Sequence, residues 1–121
     1  MVSTRPDPKM TDCPALVTVR LIAGKWKTRI LWHLRDGACG FGDLRRALPS
    51  VSAKVLTDHL DALVRDGLLS RTSILEGNVT HSVYQYSAFG RTLIPVLDAM
   101  GNWGLAHGAG KSAEEISSAA P

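Results

Sequence analysis

Apolar residues along 41–67 follow two helical rhythms with a stop between them. Phe41, Leu44 and Leu48 are spaced i, i+3, i+7, which puts one apolar face on a helix over residues 42–48. Pro49 ends that helix, since it lacks a backbone N–H and disfavours helix in the residue before it. Ser50 and Val51 form a turn, and the Ser52 hydroxyl is placed to cap the next helix. That second helix is expected over residues 53–66, with Gly67 as its C-cap. Leu56, Leu60, Leu63 and Val64 make one buried stripe, while Lys54, Asp58, Asp61 and Arg65 lie opposite. A short helix, a turn and a longer amphipathic helix form a helix-turn-helix pattern. The pattern alone also fits two helices that merely pack together.

The next residues narrow the choice. Residues 68–74 and 81–87 are β-prone, and Glu76-Gly77-Asn78 is a turn signal between them. Tyr84 and Tyr86 share a face of the second strand by its period of two. A helix-turn-helix followed at once by a hairpin is the winged-helix order. The expected fold is mainly α with a small β wing. In that fold the second helix enters the major groove and the wing reaches along the flanking backbone.

Two helices are expected ahead of this unit. Residues 13–23 carry Leu16, Val19 and Ile22 as an apolar stripe with Ala23 at its edge; Asp12 is the cap and Pro14 sits in the first turn. Gly24 breaks that helix. Residues 25–35 come after it, with Trp26, Ile30, Leu31 and Leu34 towards the core, and Asp36-Gly37 as the end. Residues 38–41 suit a short strand against the wing. After the wing, Ser87 caps a helix over residues 88–107, in which Pro95 should kink or slacken one turn. Phe89, Leu93, Val96, Leu97, Met100 and Trp103 give it a long apolar face. Such a face at a chain end often pairs with its copy. A homodimer through the terminal helices is therefore expected, with Leu16, Leu93, Leu97, Met100 and Trp103 at the seam. Folding back onto the chain's own core is the alternative. Residues 1–11 read as a flexible arm, 12–107 as one domain, and 108–121 as a disordered tail.

Composition bounds the picture without deciding it. The 121 residues suffice for a single core, and 45% are hydrophobic. No apolar run approaches a membrane span and none resembles a signal-peptide core, so a cytoplasmic protein with no membrane partner is expected. Two cysteines do not make a secreted disulfide framework. The net charge is +3; residues 13–107 hold 11 Lys and Arg against 7 Asp and Glu, hence +4. That balance permits nucleic-acid binding without requiring it.

An ordered series of short pieces resembles the HxlR-type transcriptional regulators, a MarR-like winged-helix group. The pieces are Cys13-Pro14, GKWK at 24–27, Ile30-Leu31, the whole of 41–63, and DGLL at 66–69. Tyr84, Ser87, Gly90 and PVLDAMGNWG at 95–104 complete the series, across about 90 residues. The resemblance implies a dimeric repressor or activator on an inverted-repeat double-stranded DNA operator. It also carries one further implication: some relatives sense oxidants or electrophiles through a cysteine at the position of Cys13. Three departures stand out. Gly40 replaces a frequent basic residue, and Ser50 stands where glycine is frequent. The wing turn lacks the usual proline pair and carries Glu76 with no Lys or Arg, which weakens the case for a backbone contact there.

The candidate DNA-contacting residues are set by position. Lys54, in the first turn of the second helix and away from the core, can reach a guanine edge or a phosphate. Ser52 and Thr57 offer hydroxyls near the same end, although Ser52 has capping to do. Asp58 can accept from a cytosine amino group but repels phosphate. Arg45 and Arg46 precede the turn and suit phosphate, as does Arg71 on the wing strand. His59 lies beside the apolar stripe and is expected to pack. For Cys13, a thiol in a helix's first turn faces the positive end of the helix dipole, which favours the reactive anion, while Asp12 opposes it. Cys39 is the disulfide partner on offer besides a second Cys13; packing at the dimer seam is the plain alternative for Cys13. His33, Cys39, His59, His81 and Cys13 lack zinc-site spacing, so no metal and no cofactor is expected. No nucleophile motif, phosphate loop or carboxylate pair points to an enzyme. A DNA-binding regulator, with a small-molecule or redox effector, is the leading reading, and a winged-helix protein-interaction module is the alternative.

Overall fold

In a computed structural model, residues 13–108 are described. The order is α1 (Pro14–Ile22), α2 (Lys25–His33), β1 (Cys39–Gly40), α3 (Phe41–Ala47), α4 (Ala53–Arg65), β2 (Leu69–Glu76), β3 (Val79–Tyr86), α5 (Ala88–Arg91) and α6 (Ile94–Trp103). A 3₁₀ turn, Leu34–Asp36, extends α2, and a π turn, Gly104–Gly108, extends α6. The three strands form one antiparallel sheet in the order β1-β3-β2. This is a mostly helical winged helix. The Asp12 cap, the arm and the tail lie outside the described residues.

The core forms where the two helical rhythms meet. Ile30, Leu31 and Leu34 from α2 and its extension, Leu44 from α3, and Leu56, Leu60 and Leu63 from α4 are fully buried together. Leu68, Leu69, Tyr84 and Tyr86 close it from the wing side. The Tyr86 hydroxyl donates to the Leu31 carbonyl and so ties β3 to α2. Burial pushes the Tyr86 phenol well above its ordinary value; Arg35 opposes the shift and Asp98 adds to it. The wing turn has the expected geometry. Glu76 pairs with Val79, and Gly77 alone in the hairpin takes positive φ, at 61°, as the first central residue of a type II′ turn requires.

Several expectations need correction. α1 starts at Pro14, with Cys13 as the N-cap residue and no side-chain cap bond, because Pro14 needs no helical N–H partner at that place. Of its apolar stripe only Ile22 is buried; Leu16 and Val19 are exposed. Gly24, at φ 106°, turns the chain, and the Thr28 hydroxyl donates to the Ile22 carbonyl at 2.7 Å, so the end of α1 touches the core while its start stands clear. Trp26 is half-buried rather than central, with Lys25 and Arg29 over its ring at 4.9 and 5.6 Å.

The terminal helix is two helices. In a continuous helix the Pro95 ring would strike the Arg91 carbonyl. The chain instead breaks over Thr92 and Leu93, whose N–H groups bond three residues back to Phe89 and Gly90 at 3.1 and 2.9 Å. The break also redirects the apolar face. Leu93 and Leu97, expected at the dimer seam, are buried in the chain's own core, so folding back accounts for that half. Met100 and Trp103 remain exposed.

Gly90 fixes where α5 sits. Ser87 caps it by accepting from the Gly90 N–H at 2.8 Å, while its own hydroxyl donates to the Gly67 carbonyl at 2.5 Å. A Cβ on Gly90 would fall 1.9 Å from the Leu68 carbonyl oxygen, which belongs to backbone and cannot swing aside. Gly90→Ala should therefore destabilise the fold by about 1–3 kcal/mol, as overpacking does, read from the urea midpoint. A midpoint equal to wild type would mean that α5 does not sit this close to Leu68.

Candidate DNA-binding surface

The geometry of this surface is set from behind. Leu56, Leu60 and Leu63 lock α4 against α2 and β2, so Lys54, Thr57, Asp58, Asp61 and Arg65 face outward and are exposed. Ser52 begins the helix by accepting from the Val55 N–H at 3.1 Å, so its capping role is present. Lys54 Nζ donates to Asp58 Oδ2 at 3.1 Å across one helical turn, with both side chains well exposed. An exposed pair of this kind adds little stability, so Lys54 can leave Asp58 for a phosphate or a base edge at small cost. Ser52, Lys54, Thr57 and Asp58 are thus gathered at the free end of α4. His59 is half-buried, as a packing residue would be.

The remaining cations are spread over other elements. Arg45 and Arg46 lie exposed in the last turn of α3. Arg46 donates to Asp43 on the same helix, whereas Arg45 has no ion-pair partner among the described residues. The i, i+3 spacing of Asp43 and Arg46 was available in the sequence as a sign of that pairing. Arg46, Asp43, Glu76 and His81 line an open cleft of about 570 Å³ between α3 and the wing, and its charge is mixed. Arg71 is exposed on β2, opposite Tyr84. Further out the wing is not a cationic arm. Ile74, Leu75 and Val79 are exposed, and Glu76 sits 3.4 Å from His81 Nε2.

Sequence reasoning missed two features. Val55 is exposed in the first turn of α4, and the signal was its place off the Leu56-Leu60-Leu63 stripe. Arg35 stacks on Trp32, its Cζ 3.5 Å from the ring centroid, and also donates to Asp98 Oδ1 at 2.7 Å. No local pattern announces that link, because Arg35 and Asp98 lie 63 residues apart.

The two cysteines differ. Cys13 is a free, exposed thiol at the start of α1. Cys39 is free and half-buried in β1. Burial raises its pKa, the Asp43 carboxylate raises it further, and Arg46 opposes both. Among the described residues no three His, Cys, Asp or Glu side chains gather as metal ligands would, and no helix is long and apolar enough to cross a membrane.

Comparison with known proteins agrees with this geometry. The family model for the HxlR-like helix-turn-helix matches residues 21–112. This chain belongs to the HxlR-like family. The HTH-type transcriptional regulator YdeP of Bacillus subtilis is 38% identical over 92 residues, covering 76% of this chain and 71% of YdeP. YdzF from the same organism is 38% identical over 98 residues, covering 80% and 89%. Among solved structures, the redox regulator HypR in its reduced form superposes with a TM-score of 0.74 at 34% identity, covering 78% of this chain and 93% of HypR. The chain is an HxlR-type helix-turn-helix transcriptional regulator, and the arrangement around α4 is that of a DNA-binding winged helix.

In such a regulator the exposed residues should separate by role. Lys54→Ala should weaken operator binding by about 1–3 kcal/mol while leaving random DNA little changed, as removal of a base-reading side chain does. Arg45→Ala should weaken all sequences alike and lower the salt slope by about 0.9 for each phosphate left without its cation. Arg46→Ala should do the same, since its exposed pair with Asp43 costs little to break. Titrations at several salt concentrations check all three; equal losses on operator and random DNA for Lys54→Ala would make it a phosphate contact.

Proposed function

We propose that this regulator binds an inverted-repeat operator as a homodimer, with α4 of each copy in the major groove and oxidation of Cys13 altering the affinity. The observation that carries the DNA reading is the outward set Ser52, Lys54, Thr57 and Asp58 on a helix locked from behind. Arg45, Arg46 and Arg71 supply phosphate contacts on either side. The dimer is supported by apolar surface at both ends of the chain. Met100, Trp103 (61% exposed) and Leu105 (73% exposed) come after the break at Pro95, and Leu16 and Val19 project from α1. A symmetric pair hides such surface, and the two α4 helices would then lie about 34–36 Å apart, one DNA turn. Leu93 and Leu97, being buried within the chain, take no part in this seam.

The redox reading rests on exposure and on likeness to HypR. Cys13 is the accessible thiol, on the helix whose Leu16 and Val19 are assigned to the seam. Cys39 is the resolving thiol, or a second Cys13 is. Two thiols lose two hydrogens to the oxidant as the disulfide forms, and the α1 seam shifts with it. A small-molecule effector would act through the same seam.

Sedimentation at micromolar concentration should give a dimer, and Trp103→Glu should shift it towards monomer and weaken operator binding; a wild-type monomer would refute the assembly. Operator retardation that weakens with salt separates this reading from a protein-interaction module. Diamide should change operator affinity reversibly in wild type and leave Cys13→Ser unaffected. An equal response in both proteins would remove Cys13 as the sensor.

A further inference from the structure

Val55 breaks two local rules at once. Counting from the Ser52 cap, it is the third helical residue, the place where a glutamate or glutamine side chain would return a bond to the cap. Valine cannot do so; only its backbone N–H takes part, donating to Ser52. Its branched side chain is also a poor choice for an exposed helical position, being stiff at χ1 and apolar. It does not belong to the core cluster either. The apolar pair that staples a helix start is the residue before the cap and the fourth helical residue. Here those are Val51 and Leu56, and both are buried in the core. Val55 is 37% exposed and stands outside the core cluster. It lies on a flank of the outward face, one turn before Asp58 and beside Lys54.

A residue that violates local preference without a place in the core is expected at a functional position. In the major groove an apolar side chain has one specific target, the 5-methyl group of thymine. We infer that Val55 reads a thymine methyl in each half-site, next to the base pair contacted by Lys54. This rests on α4 being the recognition helix, and it adds a specificity determinant to that reading. Ser52, Lys54 and Thr57 can each serve a phosphate or a polar base edge and Asp58 a cytosine amino group, whereas Val55 can serve none of these.

The test uses the full-length protein and a duplex it selects from a random pool. Each thymine of the selected half-site is replaced in turn by uracil, which removes only the methyl. Wild type should lose about three- to tenfold in affinity at one thymine per half-site, in keeping with one buried methyl. Val55→Ala should bind the thymine duplex more weakly by a similar factor and be indifferent to uracil there. Alanine is the better helix former, so the variant should fold, and its thermal melt checks this. Wild-type indifference to every uracil, or an unchanged uracil penalty in Val55→Ala, would overturn the inference. Lys54→Ala, tested alongside, keeps the two readings apart. If it relaxes sequence preference and Val55→Ala does not, only the thymine contact fails. If neither variant changes sequence preference, the recognition-helix reading fails with it.

Discussion

Burial of one side of α4 is the constraint on which the rest depends. Leu56, Leu60 and Leu63 are fully buried against Ile30, Leu31, Leu34 and Leu44. Each such side chain contributes about 1.5–3 kcal/mol relative to exposure, far more than any ion pair on the outer face. The stripe therefore decides the rotation of the helix, and the rotation decides which side chains face outward. A one-residue change of register along α4 would turn every one of them by about 100°. The Ser52 cap adds a fixed starting point, so the exposed set begins at a defined height as well as a defined angle.

The same core joins the DNA-facing unit to the end of the chain. Tyr86 bonds to the last turn of α2, Gly90 lies against the Leu68 carbonyl, and Leu97 of α6 is buried. On the outer side Arg35 lies over Trp32 and holds Asp98, and a Cβ on Gly101 would fall 2.1 Å from the Trp32 ring. These contacts link α6 to α2, which packs against α4.

Much of the fold was legible in the sequence, because it rests on local rules. The stripe of α4, the Ser52 cap, the stop at Pro49, the Gly77 turn and the shared face of Tyr84 and Tyr86 each depend on a few neighbouring residues. So did the outward position of Lys54, Thr57 and Asp58, which the stripe dictates by geometry. The errors came where an apolar face had more than one place to go. Leu16 and Leu97 read alike as apolar helical positions, yet one is exposed and the other buried. Periodicity reports which side of a helix is apolar; it carries no information about what covers that side.

The sequence by itself determined the winged-helix order, the recognition-helix register and the residues at its free end. Side-chain spacing within one element is fixed by backbone geometry that does not depend on the rest of the chain. Tertiary structure alone decided that Leu93 and Leu97 turn inward. It also decided that Arg35 meets Asp98 and that Arg46 shares a cleft with Glu76. It also left Cys13 exposed and Cys39 half-buried. These outcomes depend on contacts between segments far apart in the chain, and such contacts are set by how the whole core closes.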